Sequence, residues 1–242
     1  MANFVAYDSK PNIKDPILIA GLPGIGEVGR IAADFIAEKL EAKRFARIFS
    51  PDLPAEAKIV GSIIEPVCHE LWHAHTAAED VLLLLGDSQG TTPQGIFDLS
   101  ECEFRIALEY GPSLIITLCG YGVDELSREP RVIGAASRAE LAEKYGSFGI
   151  TFSLDREERI AGAAALFANF GIAYGIDSIC LMGETLGAPS DYRSAASVVE
   201  SLSKIIGTPI DVSELRSSDG DAKNTDGKSD AGPNPNGVSY FG

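Results

Sequence analysis

Pro16-Ile17-Leu18-Ile19-Ala20 runs directly into Gly21-Leu22-Pro23-Gly24-Ile25-Gly26-Glu27-Val28-Gly29. A short apolar run entering a glycine-rich turn reads as a buried strand. After the turn, Val28, Ile31, Ala32, Phe35, Ile36 and Leu40 recur at helical spacing. That spacing predicts a helix with one apolar face, ending near Glu41. Strand, glycine turn and helix together form the opening unit of a parallel α/β sheet.

The same alternation continues along the chain. Ala57 to Ile64 and Val67 to His75 read as strands, and Val81 to Leu85 as a buried central one. Gly86 to Gly95 is a polar loop. Ser100 and Glu103 have capping-box spacing, which predicts a helix over Glu101 to Glu109. Ser113 to Leu118 reads as a strand closed by a Gly120-Tyr121-Gly122 turn, and Arg131 to Ala135 as another. Ser137 and Glu140 predict a second capped helix toward Tyr145, followed by a short strand over Gly149 to Ser153. The Ala-rich stretch Glu157 to Phe170 is helical, Ser178 to Met182 is a strand, and Asp191 to Ile206 is a final helix. The expected fold is α/β, a doubly wound and mostly parallel sheet with helices on both faces. It occupies a single domain over residues 1–215.

Residues 216–242 differ in kind. Up to Gly237 they are almost all Ser, Asp, Gly, Ala, Lys, Asn, Thr or Pro, with no apolar surface to offset the entropy of ordering. A flexible tail is expected there. It ends in Tyr240-Phe241-Gly242, and two aromatic rings on a polar tether gain nothing locally. They are expected to insert into a partner.

Composition narrows the partners. A net charge of −15 and a pI near 4.6 argue against nonspecific nucleic-acid binding and against anionic membranes. The longest apolar runs are far too short to span a bilayer, and the N-terminus lacks the charged and apolar regions of a signal peptide. The four cysteines, Cys68, Cys102, Cys119 and Cys180, lie far apart with no CxxC. A reducing cytoplasm is therefore the expected compartment.

Gly24-Ile25-Gly26-Glu27-Val28-Gly29 matches G-x-G-x-x-G in the strand-to-helix context of a dinucleotide site. Three features oppose that reading. Pro23 removes a backbone donor, and Glu27 sets a negative charge where a pyrophosphate would sit. Arg44 to Ser50 does not read as a second strand ending in a ribose-binding acid. The small residues are instead expected to let the helix pack closely on the first strand, with no cofactor.

Gly21 to Gly29, including Pro23, resembles the N-terminal signature of the PAC2 family of proteasome assembly chaperones. Leu84-Leu85-Gly86-Asp87-Ser88-Gln89, Leu118-Cys119-Gly120-Tyr121-Gly122 and Cys180-Leu181-Met182-Gly183-Glu184-Thr185 match it further, in order. The resemblance covers residues from about 10 to 207. It implies a nucleoside-phosphorylase-like α/β fold, no catalysis and a homo-oligomer. It also implies a proteasome partner, the core particle α-ring or its assembly intermediates. The resemblance further implies that some archaeal-type members carry a C-terminal hydrophobic-Tyr-X tail that docks into α-ring pockets. This chain has Phe241 where that pattern has Tyr, so Tyr240, Phe241 and Gly242 form a degenerate version that lacks one phenolic hydroxyl.

Two other groupings bear on function. All three histidines lie in one stretch, and on a strand His69, His73 and His75 share a face. His73 and His75 could hold a metal there, but a solvated or subunit-facing surface is the expectation. Asp87, Gln89, Gln94 and Glu184 follow strands, on the edge where doubly wound sheets bind ligands. A small-molecule enzyme using Asp87 and Gln89, or the Gly24–Gly29 loop, is the alternative function. Ser88 has neither a G-x-S-x-G elbow nor a histidine expected beside it.

Overall fold

A computed structural model of the protein describes residues 3–126, 129–152, 158–187 and 189–218. The opening apolar run becomes β2 (Ile17–Gly21), buried along its whole length. It lies between β7 (Asp80–Gly86) and β8 (Leu114–Gly122), parallel to both. β11 (Asp177–Thr185) adds to this centre, parallel to β8. These strands are continuous aliphatic runs because helices cover both of their faces. Their side chains alternate with period two. Ile17 and Ile19 join one core, while Leu18 and Ala20 join the other.

Outside that centre the sheet turns largely antiparallel. β6 (His69–His75) pairs with β7, β3 (Lys43–Phe49) with β6, and β1 (Phe4–Tyr7) with β3, each antiparallel. On the other flank β9 (Val132–Ala136) is antiparallel to β11, and the short β10 (Ile150–Thr151) runs parallel to β9. The nine strands take the order β1-β3-β6-β7-β2-β8-β11-β9-β10. The sheet is therefore mixed, with a parallel middle. α1 (Val28–Lys39), α3 (Ala139–Gly146) and α5 (Tyr192–Ile205) cover one face. α2 (Pro93–Leu108) and α4 (Gly162–Tyr174) cover the other.

Several elements differ from the sequence reading, each for a local reason. Arg44 to Phe49 is a full strand, but it runs antiparallel to β6, and β6 and β7 separate it from β2. The expected strand over Ala57 to Ile64 is a hairpin, β4 (Ala57–Val60) and β5 (Ile63–Pro66), turning at Gly61 with φ of 63°. α2 begins at Pro93, because Thr92 caps it by accepting from the Gly95 amide, and Pro suits the first helical position. Ser100 and Glu103 then fall inside that helix, and both are buried. Ser137 does not cap α3; its hydroxyl accepts instead from the Ser178 amide. The Gly120–Gly122 segment is not a turn but a continuation of β8, in register with Gly183 to Thr185. α4 starts at Gly162 and is closed by Gly175 in the left-handed conformation.

Candidate functional site

The carboxyl ends of β7, β2, β8 and β11 form the edge where a ligand site would lie. The glycine loop crosses this edge in close backbone contact. A Cβ on Gly21 would lie 2.3 Å from the Gly29 carbonyl oxygen, and one on Gly29 would lie 2.1 Å from that of Leu118. A Cβ on Gly120 would lie 2.2 Å from the Ile25 carbonyl oxygen. Gly26 has φ of 64°, in the left-handed region, with Thr185 Oγ1 against it. Its carbonyl accepts from the Asp191 amide, so the β11–α5 connection closes over the loop. Gly24 faces open space. At the start of α1, Glu27 pairs with Arg30 at 3.4 Å. An incoming phosphate would meet that carboxylate and Asp87 beside it.

The polar residues of the edge point at their neighbours. Asp87 sits between Arg30 at 3.3 Å and Lys58 at 2.8 Å. Gln89 donates to the Pro23 carbonyl at 2.6 Å and accepts from the Ala163 amide at 3.2 Å. It thereby ties the glycine loop to the first turn of α4. Glu184 is buried and accepts from the Arg131 Nε at 2.8 Å and from the Arg131 amide at 3.1 Å. Gln94 lies on α2 and reaches Asp98 at 2.7 Å.

A buried pair that the sequence reading missed stands behind this edge. His69 Nδ1 meets Glu103 Oε1, and both side chains are closed off from solvent. His69 Nε2 lies 2.5 Å from the Ser88 carbonyl oxygen. With an acceptor at each ring nitrogen, the imidazole is satisfied as a double donor, which is its charged form. Burial opposes that charge, but Glu103 and the Ser88 carbonyl outweigh it and hold His69 above its ordinary value. A histidine fixed this way is a poor base for Ser88, whose hydroxyl donates to the Gln89 carbonyl. The geometry pins the β7–α2 loop to β6 and α2. The available signal was Glu103 itself, an acid on the apolar face that holds Leu99, Phe104, Ile106 and Ala107.

The other histidines go separate ways. His73 packs by its ring against Phe45 and His75, and His75 pairs with Asp80 at 2.7 Å. Among the described residues no cluster has the makings of a metal site. Cys119 and Cys180, from neighbouring strands, bring their sulfurs within 3.6 Å as free thiols. Two surface clefts, of about 410 and 320 Å³, lie along α2 and between Leu40 and the segment Thr208 to Glu214, neither lined by the glycine loop. Tyr240, Phe241 and Gly242 lie outside the described residues.

Comparison with known proteins yields consistent matches. The profile of the PAC2 family matches residues 18–224. The uncharacterized protein MJ1210 of Methanocaldococcus jannaschii is 36% identical over 204 residues, covering 84% of this chain and 78% of its own. The crystal structure of Pyrococcus furiosus PbaB, an archaeal proteasome activator, superposes with a TM-score of 0.87 at 32% identity. That match covers 93% of this chain and 97% of PbaB. Pyrococcus furiosus PbaA, an archaeal homolog of proteasome-assembly chaperone, superposes with a TM-score of 0.77 at 23% identity, covering 92% and 94%. The PbaA match is a likeness of fold.

Proposed function

The chain belongs to the PAC2 family, and on that footing we propose that it is a non-enzymatic proteasome assembly chaperone or proteasome-binding adaptor. The observation that carries the reading is the likeness to the P. furiosus proteasome activator, 32% identical across 93% of this chain. Under this reading the partner is the α-ring of the proteasome core particle or its assembly intermediates. The protein acts as a homo-oligomer in the cytoplasm, and Tyr240, Phe241 and Gly242 make the contact. Residues 213–218 are helical, and Arg216 is held by Glu129 at 2.7 Å and Glu200 at 2.9 Å, so the expected tail does not begin at 216. The residues from 219 to 237 supply the reach.

The chemistry of the strand edge supports binding over catalysis. Asp87, Gln89 and Glu184 are engaged with Arg30, Lys58, Pro23, Ala163 and Arg131. Gly21 and Gly29 serve close backbone packing and Gly26 a left-handed turn, while Gly24 faces open space, and the loop takes no nucleotide. A net charge of −15 supports a protein partner over nucleic acid. Among the described residues no helix is long and apolar enough to cross a membrane.

The test is an affinity pull-down from native cell extract with the intact chain and with a chain lacking residues 240–242. The intact chain recovers proteasome α-subunits. Recovery of no proteasome subunit by either chain would count against the proposal.

A further inference from the structure

β4 and β5 form a two-stranded sheet of their own, apart from the nine-stranded one. β3 and β6 are neighbours in the main sheet, and a short turn would join them. The chain instead runs outward into this arm and back. Every residue of both arm strands is exposed. Four of them are branched aliphatics, Ile59 at 77%, Val60 at 54%, Ile63 at 66% and Ile64 at 74% of their full exposure. Ile59 stands opposite Ile64, and Val60 opposite Ile63. Opposite residues share a face and successive ones alternate, so Ile59 and Ile64 give one face that is wholly apolar, while Val60 and Ile63 share the other with Lys58 and Glu65. An isolated two-stranded hairpin is marginal in water, and its outer edges are unpaired.

We infer that the β4–β5 arm is the surface through which two copies of this chain pair, arm against arm, around a two-fold axis. Charge selects this occupant. Residues 57–66 carry one cation, Lys58, which is held by Asp87 at 2.8 Å, and one anion, Glu65, so the arm adds no net charge, whereas the whole chain carries −15. Two such acidic chains repel across most of their surfaces, and a neutral aliphatic arm is where they meet without that cost. A basic partner drawn to an acidic chain would be met by carboxylates, and this arm presents isoleucine and valine. A second arm also provides what the hairpin lacks. It stacks its own Ile59/Ile64 face on that of the first arm, so that each apolar face is covered by the other. The contact is self-complementary, as a two-fold interface requires.

This inference rests on the homo-oligomer reading above, and the experiment separates the two. The full chain and its Ile59→Asp/Ile64→Asp variant are compared by sedimentation velocity over a range of concentrations. Both positions are exposed, so far-UV circular dichroism and thermal unfolding of the variant should match the parent. The parent is expected to sediment as an assembly. The variant should self-associate roughly a hundredfold more weakly, because each carboxylate would have to be buried unpaired. Amide exchange at residues 57–66 should slow as the parent's concentration rises. A monomeric parent would overturn both readings. A parent assembly that the variant reproduces would overturn the arm alone, as would a variant that assembles normally but fails to bind proteasomes.

Discussion

A Cβ on Gly29 of α1 would lie 2.1 Å from the carbonyl oxygen of Leu118 on β8. Helix and strand thus meet backbone to backbone, and no side chain fits between them. A Cβ on Gly24, three residues from Glu27 in the same motif, would meet nothing within 4 Å, and its φ of −167° is extended.

The two glycines should therefore respond differently to the same change. Gly29→Ala forces helix and strand apart and should cost about 3 kcal/mol in urea unfolding. Gly24→Ala should stay within about 0.5 kcal/mol. Equal effects at both positions would contradict a packing role for the motif.

Nucleotides should leave the protein's stability unchanged. ATP, NAD and FAD are each titrated while thermal unfolding is followed. A ligand at 100 times its dissociation constant stabilises by about 2.7 kcal/mol. A dose-dependent shift of that size with any of the three would restore the enzyme alternative at the Gly24–Gly29 loop or at Asp87 and Gln89.

His69 gives stability a defined pH dependence. Its folded value is raised: burial works against the charge, and Glu103 with the Ser88 carbonyl prevails. A raised histidine stabilises fully below its unfolded value of about 6.5 and loses that contribution as pH climbs through the folded value. Glu103→Gln keeps the shape and removes the charge. The stability gap between parent and variant should be roughly 3 kcal/mol near pH 6 and should narrow toward pH 9. Chemical denaturation at a series of pH values measures it, and a gap that widens with pH would refute the charged pair.

The architecture was legible wherever one periodicity ran unbroken. β2 and α1 follow from Ile17 to Ala20 and from Val28 to Leu40, because both elements bury a regular face. The hairpin escapes that rule. Ala57 to Ile64 reads as one apolar strand interrupted only by Lys58 if the Gly61-Ser62 pair is passed over as part of the run, but that pair turns the chain back, with Gly61 in the left-handed region. The start of α2 was present in Thr92-Pro93, but the polar glycine-rich run before it hid the cap. Contacts across long stretches of sequence were beyond reach. Glu103 finds His69 across 34 residues and Ser178 finds Ser137 across 41, and no local spacing encodes either pair. The polar edge was legible as a set of residues, while its internal pairings were not. Lys58 lies on the unforeseen arm, and Arg30 lies one turn into α1.

The central proposal, a proteasome adaptor acting through Tyr240, Phe241 and Gly242, is tested most directly on purified proteasome α-rings. Binding of the intact chain, of the chain ending at residue 239 and of Phe241→Tyr is measured side by side by surface plasmon resonance. Folding stability of the shortened chain should match the parent within about 0.5 kcal/mol, so that any loss is a loss of contact. The intact chain should bind and the shortened chain should bind far more weakly, since buried aromatic anchors dominate such contacts. Phe241→Tyr should bind at least as well as the parent, by restoring the missing hydroxyl. Equal binding by the intact and shortened chains would contradict the account.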